Sequence, residues 1–246
     1  MNCSVHGGLL GGAALALVLS GCGAQIRKLD DPIGQPRAKA EAESDAAGVY
    51  TEAVRALMQQ GHYYAALAHL QEDRRSHGDS AELRLLEADA RRNLGQDRAA
   101  AALYQGLLDG AQAAQAYHGL GRIHASGDLA QAIVQLRKAS ALRPTDVDIR
   151  NDLGYALMKA RRYSEARIEL ATAAELAPGE PKSRNNLLIL LMLMRDEAAV
   201  RRIASSTGVD EPLLARLRLQ ALSLQSPTTQ PKAGGTAPLG RTGGAG

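Results

Sequence analysis

The chain has no tryptophan and no phenylalanine, and only seven tyrosines among 246 residues. β-Sandwiches and barrels fill their cores with aromatic and β-branched side chains, so this composition argues against them. Alanine and leucine dominate the apolar share, with arginine, glutamate and glutamine frequent among the polar residues. These are strong helix formers, and the fold class expected is all-α, with alanines allowing close helix approach. There are two cysteines, Cys3 and Cys22, too few for a disulfide framework. Charge of either sign is not in large excess: 29 Lys and Arg against 26 Asp and Glu, a net +3. A nucleic-acid interface gathers cations on one face among aromatic stacking platforms; neither is visible, and no nucleic-acid partner is expected.

Long hydrophobic runs are also missing. Leu187–Met194, LLILLMLM, is eight residues long and bounded by Asn185-Asn186 and Arg195-Asp196, whereas a spanning helix needs about 20. It reads as a buried helix, with Met192 and Met194 as side chains able to line an apolar groove. Catalytic signatures are equally scarce. The sequence contains no phosphate-binding G-x-x-x-x-G-K-[ST], no H-E-x-x-H and no G-x-S-x-G. His118 and His124 are six apart and His62 and His69 seven apart, not the i, i+4 pair of a helical zinc site. Gly119, Gly121 and Gly127 lack the preceding strand of a dinucleotide loop. No enzyme, cofactor or metal is expected.

What is present begins with Leu9–Leu19, an eleven-residue apolar or glycine run with the length of a signal-peptide core. The preceding MNCSVHGG departs from the pattern in having no Lys or Arg. Leu19-Ser20-Gly21-Cys22 then resembles a bacterial lipobox. That resemblance implies removal of residues 1–21 and acylation of Cys22, whose acyl chains anchor stably when there is more than one. Gly23 follows in place of an aspartate, which by the same resemblance implies the outer membrane, facing the periplasm. Residues 22–46 hold Pro32, Gly34 and Pro36 with little apolar periodicity and read as a tether.

Beyond it the sequence repeats. Val147–Glu180 contains Leu153-Gly154, Leu157, Ala166, Leu170, Ala173 and Pro178. It resembles the tetratricopeptide (TPR) pattern, L-G-x2-Y, A-x3-F and P on a period of about 34 residues, without its leading aromatic. A turn residue paired with a small residue recurs as Gly61/Ala66, Gly95/Ala100, Gly127/Ala132, Arg161/Ala166 and Arg195/Val200, the second members spaced by 34, 32, 34 and 34. Four residues after each second member stand Leu70, Tyr104, Leu136, Leu170 and Ala204. The array expected is an α-solenoid over 47–208, in units 47–80, 81–112, 113–146, 147–180 and 181–208. Stacking buries what one helix pair leaves exposed. Unit two is irregular, with Glu87-Ala88 where Leu-Gly belongs, and unit five is degenerate. Pro144 and Pro178 stop second helices. Asp210 and Pro212 open an amphipathic helix over 209–225, read as a cap or else as a partner-docking helix. Residues 226–246, rich in Pro, Gly and Thr, read as disordered.

The resemblance to tetratricopeptide repeats implies a concave face lined mainly by first helices. The candidates there are Arg55, Arg92, His118, Arg122, Asn151, Tyr155 and Asn185, with Met58, Asp89, Met158 and Ile189 beside them. Asn151, Tyr155 and Asn185 stand out, because an asparagine amide both donates to and accepts from a peptide backbone. The lipobox, the repeats and the stretch Arg150–Leu193, with Asn151-Asp152-Leu153-Gly154 followed by Asn185-Asn186-Leu187, resemble TadD, the tetratricopeptide lipoprotein family of Flp (tight-adherence) pilus assembly. The resemblance implies a non-enzymatic outer-membrane lipoprotein whose partners are the pilus secretin or other Tad assembly proteins. A type IV pilotin, another envelope-assembly lipoprotein, and an adaptor for a periplasmic cell-wall enzyme stand as alternatives.

Overall fold

The computed structural model describes residues 49–225. The expected signal peptide 1–21, the acylated Cys22, the tether 22–46 and the tail 226–246 lie outside the described residues. Among the described residues there are eleven α-helices and no strand. α1 covers 49–59 of the described chain. It is followed by α2 (Tyr63–His77), α3 (Ala81–Asn93), α4 (Asp97–Gln105), α5 (Ala113–His124) and α6 (Leu129–Leu142). Then come α7 (Val147–Lys159), α8 (Tyr163–Leu176), α9 (Pro181–Leu193), α10 (Glu197–Thr207) and α11 (Glu211–Gln225). The fold is an α-solenoid of helix-turn-helix pairs. Each second helix packs on its own first helix and on that of the next pair, and α11 packs on α9.

Local chemistry sets the helix ends. Helix N-termini leave unpaired N–H groups that a preceding side-chain oxygen can accept. Ser80, Asp128, Asp146, Asp196 and Asp210 do so for Leu83, Gln131, Ile149, Ala199 and Leu213 at 2.9–3.1 Å. Glu180 does so for Ser183 at 3.0 Å, with Pro181 opening α9.

The turn inside each pair is equally local. After α1, α3, α7 and α9, Gly61, Gly95, Arg161 and Arg195 take positive φ of 78°, 72°, 58° and 60°. In each turn the next N–H reaches back to the carbonyl five residues earlier, as in His62 to Leu57 and Asp196 to Leu191, both 2.9 Å. This is a Schellman closure, which needs a left-handed residue. Unit three differs. Gly121 and Ala132 stand one residue closer in sequence than Gly154 and Ala166. Gly127 has no positive φ, and the N–H groups of Gly127 and Asp128 both go to His124.

The core follows the small-then-large pattern. Ala66, Ala100, Ala132 and Ala166 are fully buried, with Leu70, Tyr104, Leu136 and Leu170 beside them. A Cβ on Gly121 or Gly154 would lie 2.6 Å from Cγ of Leu136 or Leu170, so glycine is what lets those helices cross. Unit five exchanges the sizes, placing Val200 and Ala204 in the two positions, both buried. Unit two replaces the missing leucine with a buried ion cluster. Glu87 accepts from Arg74 and Arg91, both at 2.7 Å. Burial alone would raise its carboxyl pKa, but the two guanidiniums outweigh that and lower it.

The run over 187–193 is buried throughout, enclosed by α7, α8 and α10 and by Leu214, Leu217 and Ala221 of α11. Met192 is therefore a core residue and not a groove residue. Its helix is apolar all round because it has neighbours all round. No helix among the described residues is long and apolar enough to cross a membrane.

Candidate functional site

Two adjoining cavities run along the first helices. One, of about 300 Å³, is bounded by Met58, Tyr63, Asp89, Arg92, His118 and Arg122. The other, of about 240 Å³, lies between α5 and α7, with Arg122, Leu136, Asp152, Tyr155, Lys159 and Lys182 around it. Arg122 borders both. α3 packs directly on α5 and α7 on α9, whereas α5 and α7 make little direct contact. The second cavity occupies that gap.

Polar side chains span it. His118 Nε2 on α5 donates to Asp152 Oδ2 on α7 at 2.9 Å, and Arg122 Nε lies 3.7 Å from the same oxygen. Lys182 Nζ, from the start of α9, reaches Asp148 Oδ1 at 3.0 Å and Asp152 Oδ1 at 3.3 Å. Burial alone would raise the Asp152 carboxyl. The His118 hydrogen bond and the charges of Lys182, His118 and Arg122 outweigh burial and bring it down to about 2. Lys182 moves the opposite way: burial would lower it, and the carboxylates of Asp152 and Asp148 raise it. Asp152 is thus an anion at neutral pH that organises three helices.

At the other end, Tyr104 rises from α4 through the core, and its hydroxyl donates to Asp89 Oδ1 at 2.5 Å. Burial, followed by the Asp89 charge, raises its phenol pKa. Arg92 Nε donates to the Tyr104 oxygen at 3.4 Å. The floor of the first cavity is therefore tied to the core of unit two.

The sequence candidates divide. Arg92, His118, Arg122 and Tyr155 border the cavities, as do Met58 and Asp89. Arg55 borders neither; it pairs with Glu52 on its own helix at 3.0 Å and with Glu82 of α3 at 2.5 Å. Asn151 is buried and is not a groove residue. Its Oδ1 accepts from Asn186 Nδ2 of α9 at 2.8 Å, and its Nδ2 donates to Asp152 Oδ1 at 3.2 Å. It is a strut between two helices, because one helical step of about 100° turns it from the groove into the α7–α9 seam. Asn185 lines neither cavity and accepts from its neighbour Arg184 at 3.2 Å. Met158 and Ile189 are buried in the core.

Asp152, Lys159 and Lys182 escaped the sequence reading. A signal for two of them exists: Asp152 follows His118, and Lys182 follows Asp148, by 34 residues, so stacked first helices bring each pair side by side. Lys159 lies at the end of α7, where its ammonium donates to the Ala125 carbonyl at 3.3 Å. Those two residues are also 34 apart in sequence.

Comparison with known proteins places this geometry among repeat proteins. A family model described as tetratricopeptide repeat matches residues 124–185. The TPR repeat-containing protein PA4299 of Pseudomonas aeruginosa is 37% identical over 186 residues, covering 75% of this chain and 70% of that protein. Among solved structures, one described as the functional characterization of Pseudomonas aeruginosa pilF superposes with a TM-score of 0.60 at 16% identity, over 74% of this chain and 86% of its own. The thermophilic TPR protein TTC0263 of Thermus thermophilus gives 0.54 at 19% identity, over 72% of this chain and 98% of its own.

Proposed function

The chain belongs to the tetratricopeptide-repeat family, and we propose that it is a non-enzymatic, lipid-anchored scaffold for assembly of an Flp (tight-adherence) pilus, acting towards the outer-membrane secretin. The observation behind the pilus reading is the order of parts: Leu19-Ser20-Gly21-Cys22, a short tether, then a repeat array. A lipid at Cys22 would hold the array at the inner leaflet of the outer membrane, where a secretin subunit must arrive and insert. The groove supports the scaffold part of the reading. Asp152, His118 and Lys182 are joined across three helices, an arrangement suited to presenting a firm surface to a partner.

The test is a deletion in the native host, complemented with the wild-type chain or with Cys22→Ala. The expected result is loss of surface pili and of assembled secretin multimers in the deletion. Wild type restores both, while Cys22→Ala leaves the protein unanchored and restores neither. Normal piliation of the deletion strain would overturn the assembly role. Capture of a cell-wall synthase or hydrolase in place of the secretin from solubilised envelopes would redirect it.

A further inference from the structure

Among the described residues, the cavity between α5 and α7 carries more positive than negative charge. Three cations stand around it, Arg122, Lys159 and Lys182; Lys182 also pairs with Asp148 at 3.0 Å, and the one carboxylate in the cavity wall is that of Asp152. That carboxylate is already engaged by His118, Arg122 and Lys182. Lys159 meets no carboxylate among the described residues; its one hydrogen bond is to the Ala125 carbonyl. Arg122 is held only loosely, 3.7 Å from Asp152. Below this rim the cavity is apolar, walled by Ala125, Leu129, Leu136 and Ala156.

We propose that this cavity receives an acidic side chain and an adjacent aliphatic one from an internal, extended segment of a partner protein. The proposal rests on the scaffold reading above and names the chemistry its groove selects. The aliphatic group enters the apolar cavity, about 240 Å³ in volume, and displaces water from it. The carboxylate lies between Lys159 and Arg122, where it meets charge without separating Asp152 from His118. A basic segment would face three cations, and a neutral polar one would leave Lys159 as it is, so the rim selects by sign. The occupant is an internal segment because the cavity does not end at Arg122. The neighbouring cavity begins at the same residue and continues along α3 and α5, giving the bound chain a path onward.

The test uses the isotope-labelled full chain carrying Cys22→Ser, titrated by NMR with end-blocked hexapeptides. The probe is acetyl-Gly-Gly-Glu-Leu-Gly-Gly-amide; the comparison peptides replace Glu by Gln, Lys or phosphoserine, or Leu by Ser. The expected result is a saturable shift of the Ala125, Ala156 and Lys159 amides by the Glu-Leu peptide, with dissociation constants on the order of millimolar. Each comparison peptide should bind about fivefold more weakly, as should Lys159→Ala and Arg122→Ala proteins, while Arg202→Ala on α10 binds as wild type. Both tested side chains are exposed, and circular dichroism verifies that the variants fold. Equal binding of the Gln peptide, tighter binding of the phosphoserine peptide, shifts centred elsewhere, or no saturable shift would each overturn the proposal. So would tighter binding of a peptide ending in Leu with a free carboxyl terminus, which would assign the cations to a chain end. A flat titration beside a non-piliated deletion strain removes this occupant and keeps the assembly role; the reverse pair of results removes the role and keeps the occupant.

Discussion

The ring of Tyr104 lies so close to Gly119 that a Cβ added there would sit 2.2 Å from the ring Cζ. Tyr104 is fully buried and stands where units one, three and four place leucine. The larger side chain crosses into the next unit, where a glycine makes room for it. Gly119→Ala is therefore expected to destabilise the protein by about 1–3 kcal/mol through overpacking. Tyr104→Leu should relieve much of that loss in the double variant. Urea unfolding of the two single variants and the double tests it; additive effects would show that the two positions are not coupled.

Asp152 predicts a dependence on acid. Its folded pKa, about 2, lies below the ordinary value of 3.8. A depressed carboxylate contributes stability that is fully present above the unfolded value and lost as pH falls through the folded one. Here the loss should begin near 3.8 and finish around 2, amounting to at most about 2–3 kcal/mol. Asp152→Asn should be less stable than wild type at neutral pH, and the gap should narrow in this acid window. Parallel curves for the two proteins between pH 2 and 6 would contradict the assignment.

Arg195 holds a left-handed conformation that glycine occupies in the turns of units one and two. Arg195→Gly should raise stability by about 1 kcal/mol, the left-handed penalty less the extra entropy glycine brings to the unfolded chain. Arg161→Gly should raise it less, because Arg161 Nη2 also donates to the Gln225 carbonyl at 3.1 Å. Melting temperatures of the two variants order the effects, and a lower value for Arg195→Gly would refute the strain argument.

Asn151 separates a strut from a binding residue. Asn151→Ala removes the hydrogen bond to Asn186 across α7 and α9 and should lower stability by about 1–2 kcal/mol. It should leave the Glu-Leu peptide titration unchanged, since the side chain does not reach either cavity. Lost peptide binding with unaltered stability would return Asn151 to the groove.

Sequence by itself determined the helices, their turns and their order. A small residue followed four later by a large one recurs with nearly constant spacing, and Asp128, Asp146, Asp196 and Asp210 each cap the helix that follows. These are features within one turn of chain, where backbone geometry acts alone. A place beside the cavities was legible for Arg92, His118, Arg122 and Tyr155, because each stands on the first helix of its unit. What only the tertiary structure decided lies between units. Neighbouring residues on a helix point about 100° apart, so the rotation of one unit on the next chose Asp152 for the groove and Asn151 for the seam. The same stacking left Lys159 with no carboxylate among the described residues and set the ring of Tyr104 against Gly119. Those contacts depend on how neighbouring units stand against one another, a relationship set by every side chain packed between them.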